Sequence, residues 1–386
     1  MSRVAAALGA LLAAATAHAQ APRHAAEPGA GAIPLDGFAD AVAHWQNRHG
    51  ADYPRYAPQQ VREIADNLLL LQRESGGWPE NRDPARVLGA AERERLRAER
   101  ALPGGSFDNR NTYTQIDYLA AAHARTGEAR YRDAALRGLD FVLARQLERC
   151  GGWPHTVPAS QPYHPHITIA DEVTPGVLAM LRRAAAFPFV DPARRQRIEA
   201  AVARGDACLL RLQVRQDGRL AGWAGQYDAR TLQPAQGRRF ELPALVSDET
   251  VSVLRYLMSI PQPSPPVTAA IEGGVDWLRR VALRGQRLET FPAPHERWAY
   301  HAADFDRRLV ADPQAPPLWA RFYDLRDNSV VLASRDGERL RDYAQIPRER
   351  RTGYHWFGTW PQALLERDYP AWKARTGAGA KPHPPR

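Results

Sequence analysis

The polar residues between positions 221 and 249 are the part of this sequence with the greatest capacity for chemistry. They lie between two segments with helical periodicity, 194–212 and 248–260, but have no such period of their own. Loops longer than about 12–15 residues are uncommon unless they are functional or disordered, and aromatic residues argue against disorder. We therefore expect this stretch to form the wall of a polar cleft. Its notable side chains are Trp223, Gln226, Tyr227, Asp228, Arg238, Arg239, Glu241, Asp248 and Glu249.

Two other segments place carboxylates at the start of predicted helices. Asp108 precedes a helical stretch that begins near residue 113, and Asp171 and Glu172 begin another. Such carboxylates can serve only as helix caps, or can be favoured by the positive end of the helix dipole. Adjacent carboxylates also suit a hard cation, which binds oxygen ligands. The local sequence leaves both interpretations open.

Arginines and histidines add further candidates. Arg321 and Arg335 lie in the segments WARFYDL and SRDG, and the planar guanidinium group matches a carboxylate. Nearly all of the positive charge in this chain is arginine, so one arginine alone does not indicate a site. His155, His164 and His166 flank prolines without the spacing of a metal site, and we interpret them as structural.

The elements that must position these side chains are predicted to be mainly α-helical. Apolar residues recur at helical spacing from Val61 to Leu71. Similar stripes occur at 113–125, 131–146, 172–185, 194–212, 248–260 and 268–282. Few segments alternate with the period of two that is typical of strands.

A glutamine followed by a turn through glycine into tryptophan occurs three times. The repeated residues are Gln72 with Trp78, Gln146 with Trp153, and Gln213 with Trp223. Repeats at this spacing indicate stacked helical hairpins whose neighbours complete the core. Closed into a ring, they form an α/α toroid with a cleft at one end. An open solenoid of the same hairpins is the alternative.

The N-terminus has the features of a secretory signal peptide. Arg3 precedes an apolar run, and Ala17-His18-Ala19 is a small-x-small cleavage site; a buried N-terminal helix is the alternative. No other apolar stretch reaches the roughly 18 residues that a membrane-spanning helix needs. We predict a secreted or periplasmic protein cleaved after Ala19, without membrane association. Its predicted parts are the signal peptide 1–19, an N-terminal extension 20–56, a main domain 57–374 and a disordered tail 375–386.

Charge and cysteine content restrict the partners. The formal net charge of +9 suits an acidic polysaccharide, a nucleic acid or an anionic surface. The positive charge is scattered and no nucleic-acid recognition motif is present, which argues against a nucleic-acid-binding protein. Cys150 and Cys208 can form one disulfide in an oxidising compartment or remain two thiols. We expect a monomer.

Taken together, these motifs resemble those of the family 10 pectate lyases of bacteria. The shared segments are DNRNTYTQI, CGGWPHTVP, ITIADE, WAGQYDARTLQPA, GRRFELPAL, LRYLM, WARFYDL, SRDG and ERRTGYHWFGTWP, and they run from about Gln72 to Leu365. The resemblance implies a toroid-like helical fold, an incomplete (α/α)3-type barrel with a wide substrate groove, and a catalytic role for the main domain. It also implies Ca²⁺-dependent cleavage of polygalacturonate by β-elimination, with an arginine base and 4,5-unsaturated products.

The resemblance also implies roles for individual residues. Arg238, two positions before Phe240-Glu241, is the expected base, although Arg239 leaves this assignment ambiguous by one position. Substrate binding is expected from Asp108, Thr114, Arg239, Arg321 and Arg335, and calcium binding from Asp171 and Glu172. The chain departs from the family pattern at Ala170 (usually asparagine), Glu172 (usually aspartate), Tyr227 (usually histidine) and Val246-Ser247-Asp248 (usually Ser/Gly-rich). These departures bear on substrate preference and metal affinity.

Two other functions are compatible with the sequence. A glycoside hydrolase on the same toroid would use Asp108 and Asp171 as its carboxylate pair. A non-catalytic polysaccharide-binding protein would use the arginines and tryptophans only to hold the chain. Hydrolysis gives a saturated product, elimination gives a double bond that absorbs in the ultraviolet, and a binding protein gives no turnover.

Overall fold

The structure is a computed structural model that describes residues 31–377. Its α-helices are α1 (Ala39–His49), α2 (Val61–Leu71), α3 (Ala90–Glu99), α4 (Tyr113–Thr126), α5 (Ala129–Ala144), α6 (Val173–Ala184), α7 (Pro192–Leu212), α8 (Ser247–Met258), α9 (Pro265–Arg280), α10 (Arg348–Gly353), α11 (Trp360–Ala363) and α12 (Tyr369–Thr376). Short 3-10 turns, Asp108–Arg110 and Ala170–Glu172, precede α4 and α6. The predicted signal peptide lies outside the described residues.

The strands are short, apart from one pair. They are β1 (Gly105–Ser106), β2 (Thr156–Val157), β3 (Ile167–Thr168), β4 (Arg215–Gln216), β5 (Arg219–Leu220), β6 (Gln226–Tyr227), β7 (Leu245–Val246), β8 (Gln286–Arg297), β9 (Ala302–Ala311), β10 (Trp319–Ala320), β11 (Phe322–Tyr323), β12 (Leu332–Ala333), β13 (Arg339–Leu340) and β14 (Phe357–Gly358). All of them pair antiparallel in two-stranded sheets, in the order β1–β2, β3–β6, β4–β5, β7–β11, β8–β9, β10–β14 and β12–β13.

The helices form the predicted α/α toroid. Helix α4 pairs with α5, α6 with α7, and α8 with α9. Helices α4, α6, α8 and α11 contact one another in turn as one layer, and α5, α7 and α9 form a second layer outside it. The stripe from Val61 to Leu71 is α2, which buries Ile64, Ala65 and Leu68 as the helical period requires.

The glutamine–tryptophan repeat of the sequence is also a structural repeat. Each glutamine Nε2 donates to a carbonyl of its own turn and to a carbonyl of the next outer helix. The acceptors are Gly76 and Ala134 for Gln72, Gly151 and Ala201 for Gln146, and Ala221 and Ala270 for Gln213. Each tryptophan Nε1 donates to the helix that precedes its turn, at Leu68, Val142 and Leu209. The same glutamine and tryptophan hydrogen bonds therefore connect successive hairpins at three places.

A fourth copy of this turn is interrupted by an insertion. Trp319 Nε1 donates to the carbonyl of Leu278 (2.8 Å) at the end of α9, as the earlier tryptophans do. Between α9 and Trp319 lies the long hairpin β8–β9, which the sequence analysis did not predict. Its strands bury few side chains, and Pro292 and Pro294 interrupt the alternation, so the period-two signal is weak.

The remaining features concern the ends of the chain and the cysteines. Cys150 and Cys208 form a disulfide that links the turn after α5 to α7, with the two Cα atoms 5.0 Å apart. Helix α12 extends to Thr376, so the first residues of the predicted tail are helical, and residues 378–386 lie outside the described part. Among residues 31–377, no helix combines the length and apolar character needed to cross a membrane.

Candidate active site

The candidate site forms where the repeated turns meet the starts of the inner helices. The residue two positions after each repeated tryptophan is Glu80, His155, Gly225 or Arg321. Its backbone lies beside the segment before an inner helix: Phe107 N donates to His155 O, Ile169 N to Gly225 O, and Ser247 N to Arg321 O, all at 2.9 Å. Asp108, Asp171, Asp248 and Glu249 follow directly in those segments. Acids from the helix starts are thereby brought to side chains from the turns.

The backbone before α4 and α6 has the same unusual conformation. Asn109 and Arg110 have φ of 51° and 60°, and Asp171 and Glu172 have φ of 53° and 61°. Residues with a Cβ seldom adopt such values, which cost about 1–3 kcal/mol each and cluster at functional sites. The rest of the fold therefore holds these two acidic turns in place.

Asp108 and Asp171 form a close carboxylate pair. Burial raises the pKa of Asp171 to about 7, and the negative charge of Asp108 adds to the rise. Burial also opposes ionisation of Asp108, but His155 and Arg238 outweigh it and lower the pKa of that carboxyl. Asp171 also contributes to the lowered pKa of Asp108, so the two carboxyl groups hold one proton between them near neutral pH.

Arg238 is held beside this pair by Glu241. Its Nη2 donates to Glu241 Oε1, and its backbone N–H donates to Glu241 Oε2 (2.9 Å). Tyr354 Oη donates to the same carboxylate (2.8 Å), and the guanidinium lies 5.0 Å from the Phe240 ring centroid. The Arg238 side chain is 47% exposed, so a bound molecule can reach its guanidinium group.

The charges around Arg238 keep it protonated in the free protein. Burial lowers the pKa of Arg238, but Glu241, Tyr354 and Asp171 outweigh burial and raise it. Burial likewise opposes ionisation of Glu241, but Arg238 holds the pKa of Glu241 at about 2. Arg238 and Glu241 are therefore an ion pair at all moderate pH values.

Arg321 is bound by two acids of α8. Its Nη1 lies 3.2 Å from Asp248 Oδ2, its Nη2 lies 3.0 Å from Glu249 Oε1, and it stacks 5.1 Å from the Tyr354 ring centroid. Burial, and then the charge of Asp248, raise the pKa of Glu249 well above its usual range. Burial also raises the pKa of Asp248, although Arg321 opposes the rise. A substrate carboxylate that reaches Arg321 must therefore share it with these acids.

Arg239 and Arg335 lie at the exposed edge of the site. Arg335 Nε donates to Glu349 Oε2 (3.3 Å), and Glu349 also binds Arg350. The carbonyl of Arg239 packs against Gly337, where an added Cβ would lie 2.7 Å from that oxygen. Gly337 also has φ of 95°, so this close approach requires glycine. The turn that carries Arg335 is thereby held next to the Arg238–Arg239 segment.

Thr114 and Glu172 lie apart from the other predicted residues. Both line a separate cavity of about 380 Å³ against the N-terminal segment. Glu172 Oε1 accepts a hydrogen bond from Arg110 Nη2 (3.1 Å), and Arg110 Nε also lies 3.5 Å from Asp40. Thr114 packs against Gly37. The structure therefore brings Asp108, Asp171, Arg238 and Arg321 together but places these two residues elsewhere.

Several residues of the cluster had no specific role in the sequence analysis. Glu80, His155, Asp248, Glu249 and Tyr354 all contact or face the predicted site residues. One signal in the sequence could have found Glu80 and His155, since both lie two positions after a repeated tryptophan, as Arg321 does. Asp248 and Glu249 were expected only in the wall of the cleft, and Tyr354 comes from a distant loop that no local pattern connects to them.

The toroid of helical hairpins thus gathers acids and arginines from several repeats in one cluster. The family model described as pectic acid lyase matches residues 72–365. The chain therefore belongs to the pectic acid lyase family and is an enzyme of the pectate lyase class, which confirms the resemblance of its motifs.

Solved structures agree with this membership. The chain is similar to the family 10 polysaccharide lyase from Cellvibrio cellulosa and to a substituted form of that enzyme in complex with trigalacturonic acid. Each has a TM-score of 0.69 and 28% sequence identity, and the match covers 90% of this chain and 99% of the other. No curated protein matches the chain.

Proposed function

We propose that this enzyme cleaves polygalacturonate by Ca²⁺-assisted β-elimination, with Arg238 as the base. The observation that carries the proposal is the convergence of Arg238, Arg321, Asp108 and Asp171 in one groove. The related enzyme whose structure contains trigalacturonic acid supports the same class of substrate. Elimination removes the C5 proton of a uronate and expels the oxygen on C4, so the enzyme must stabilise negative charge beside a carboxylate.

The carboxylate pair fits a calcium ion. Its donors are oxygens, which calcium prefers. The pair shares one proton, and a bound cation can take the place of that proton. We propose that Asp171 and Asp108 hold Ca²⁺. Glu172, the other ligand expected from the resemblance, is hydrogen-bonded to Arg110 instead. Bound Ca²⁺ supplies positive charge that neutralises the uronate carboxylate and favours loss of the C5 proton.

The arginines have different proposed roles. Arg321 is mostly buried, charged and held by two acids, which suits a group that binds a substrate carboxylate. Arg238 is exposed to the groove and oriented by Glu241 and Tyr354, which suits a group that meets the C5 hydrogen. Because its pKa is raised in the free protein, the neutral form needed of a base is rare, and activity should rise with pH.

A glycoside hydrolase with the same pair is less consistent with the electrostatics. Retaining and inverting glycosidases keep two carboxyl groups apart, with separate roles on either side of the scissile bond. The pKa of Asp171 is raised by Asp108 while that of Asp108 is lowered, as in a pair that shares one proton. The close pair suits a shared cation better than separate acid and base roles.

The test is to incubate the purified protein with polygalacturonate and to follow ultraviolet absorbance. We expect an unsaturated product whose formation stops with a chelator, resumes with added CaCl₂ and becomes faster as the pH rises above 7. Saturated products alone, or a rate unaffected by exhaustive chelation, would contradict the proposal. A rate that peaks near pH 5 would indicate the hydrolase.

We also propose that the protein is exported. The Cys150–Cys208 disulfide is consistent with an oxidising compartment, as is the predicted signal peptide at residues 1–19. The monomeric state stays a prediction, which sedimentation of the purified protein would test.

A further inference from the structure

We propose that Glu80, Asp108 and His155 form a second cation site, specific for a borderline transition ion such as Mn²⁺ or Zn²⁺. One ligand atom from each of these side chains lies within 4.8 Å of the other two. Glu80 and His155 occupy equivalent positions of consecutive repeats, two residues after Trp78 and Trp153. Asp108 comes from the segment between those turns, so the repeat itself assembles the three donors.

The donors of this group are not fully used by the protein. Oδ1 of Asp108 is buried and has no hydrogen-bond donor among the described residues. His155 is only 7% exposed, and its Nε2 lies 3.3 Å from that oxygen. A buried carboxylate oxygen without a donor is costly, and a cation between these atoms would satisfy both.

A second set of contacts orients each donor. Ser106 Oγ donates to Glu80 Oε2 (2.8 Å), and Asn109 Nδ2 donates to Asp108 Oδ2 (3.2 Å). His155 Nδ1 lies 2.9 Å from the hydroxyl of Thr156, which leaves Nε2 available towards the carboxylates. Metal-binding histidines and carboxylates commonly have such hydrogen-bonded supports.

The donor set distinguishes this site from the proposed calcium site. Calcium binds oxygen ligands almost exclusively, whereas one imidazole with two carboxylates suits Mn²⁺, Fe²⁺ or Zn²⁺ and leaves coordination positions open. Asp108 is common to both sites. A transition ion bound to Asp108 would therefore draw this carboxylate away from Asp171 and raise the calcium concentration needed for activity.

The simplest alternative is that His155 and Asp108 form a metal-free ion pair. Both explanations predict that the two groups stay close, so activity alone cannot separate them. Binding can, because an ion pair leaves no site for Mn²⁺. The probe is therefore MnCl₂ added to metal-free protein, with free Mn²⁺ measured by electron paramagnetic resonance, and ZnCl₂ measured by calorimetry.

We expect the wild-type protein to bind one Mn²⁺ or Zn²⁺, and His155→Gln and Glu80→Gln to weaken binding by about tenfold or more. The matched control is His164→Gln, because the His164 ring stacks on His155 with the centroids 4.6 Å apart but does not belong to the group. It should change affinity by less than about twofold, and circular dichroism should report a native fold for all variants.

Three results would overturn the proposal. They are wild-type protein that binds neither ion, His155→Gln or Glu80→Gln that is folded and binds as tightly as wild type, and CaCl₂ that displaces Mn²⁺ completely at equal concentration. The last result would mean a single oxygen site. None of these results depends on lyase activity, so failure here is distinguishable from failure of the proposed function.

Discussion

The turns at residues 223–228 and 319–324 have the same local structure but different chemistry. In both, an alanine N–H donates to the hydroxyl of a tyrosine three residues later. The pairs are Ala224–Tyr227 (2.7 Å) and Ala320–Tyr323 (2.9 Å). At the third position, however, Gly225 has no side chain, whereas Arg321 is a mostly buried cation bound to two acids of α8.

Two kinds of residue therefore occur in these turns. Some form the turn itself, and the residue two positions after the tryptophan supplies a side chain that differs from turn to turn. Tryptophan, alanine and tyrosine recur because their buried hydrogen bonds define the backbone. The third position can vary, because its contacts to the preceding repeat at His155, Gly225 and Arg321 are made by the backbone carbonyl and do not depend on the side chain. Glu80, His155, Gly225 and Arg321 are the four versions of this position, and changes of the two kinds of residue should have separable effects.

The largest effect on activity is expected at Arg238, in the loop that follows the 223–228 turn. Arg238→Ala should lower kcat by roughly 10²–10⁴-fold, the usual contribution of a general base. Oligogalacturonate binding should largely survive, since the base acts chiefly in the transition state. Turnover by ultraviolet absorbance and binding by calorimetry are the two measurements.

Arg239→Ala is the matched control for Arg238, because it removes the same group one position later. Its side chain is exposed, and because Arg239 is a predicted substrate-binding residue, its loss should raise KM while kcat stays near wild type. An inactive Arg239→Ala beside an active Arg238→Ala would shift the assignment of the base by one position. Normal activity in both variants would exclude an arginine base from this loop.

The next largest effect is expected at Arg321. Arg321→Ala should weaken substrate binding as well as rate, and it should also make stability depend on pH. The pKa of Glu249 is already raised in the folded protein by burial and Asp248, and loss of Arg321 would raise it further. A carboxyl whose folded pKa is raised stabilises the fold at low pH, and that contribution is lost as pH rises above its unfolded pKa of about 4.3.

Denaturant unfolding at pH 5 and pH 8 measures this change. The free energy of unfolding of Arg321→Ala should fall between these pH values by more than that of wild type. Arg335→Ala is the control, because Arg335 binds its acid at the surface, with 51% of the side chain exposed, and surface ion pairs contribute little. Equal pH dependence in the two variants would show that Arg321 is not what stabilises the buried acids.

The same distinction explains how much the sequence could predict. The glutamine–tryptophan repeat and the helical stripes predict the toroid, because each hairpin is a local pattern that recurs. The convergence of Asp108, Asp171, Arg238 and Arg321 was implied by family resemblance alone. No spacing rule brings residues of different repeats to one groove.

The features that were missed depend on contacts between distant segments. His155 resembles a structural histidine until Glu80 and Asp108 lie beside it. Asp171 and Glu172 are adjacent in sequence, and both have positive φ. Their side chains consequently have different neighbours, and Glu172 pairs with Arg110. Backbone conformations of this kind are set by the surrounding fold rather than by the residue types.

A smaller effect, on stability alone, is expected from Gly222→Ala, which changes a residue that builds the 223–228 turn. The added Cβ would lie 2.4 Å from Thr250 Oγ1 and 2.7 Å from the Trp277 ring. Thr250 Oγ1 also accepts the N–H of Trp223 (3.0 Å), so the clash disturbs a repeated contact. We expect a loss of about 1–3 kcal/mol in denaturant unfolding. An unchanged midpoint would mean that the turn yields more easily than its packing indicates.

The smallest effect is expected from Gly225→Ala, three residues away, because it changes the third position. Here the added Cβ would lie 3.7 Å from Ala170 Cβ and Val246 Cγ2, which is ordinary contact, and φ is not positive. Stability should be unchanged or higher by about 0.4–1 kcal/mol, since alanine restricts the unfolded chain. Activity should stay near wild type if Gly225 only leaves the groove open at this point. A folded but inactive variant would mean that substrate passes directly over Gly225, whereas a destabilised variant would show that the two turns are not equivalent. Stability and activity of Gly225→Ala, measured together, therefore decide whether glycine is needed here by the backbone or by a substrate that passes next to it.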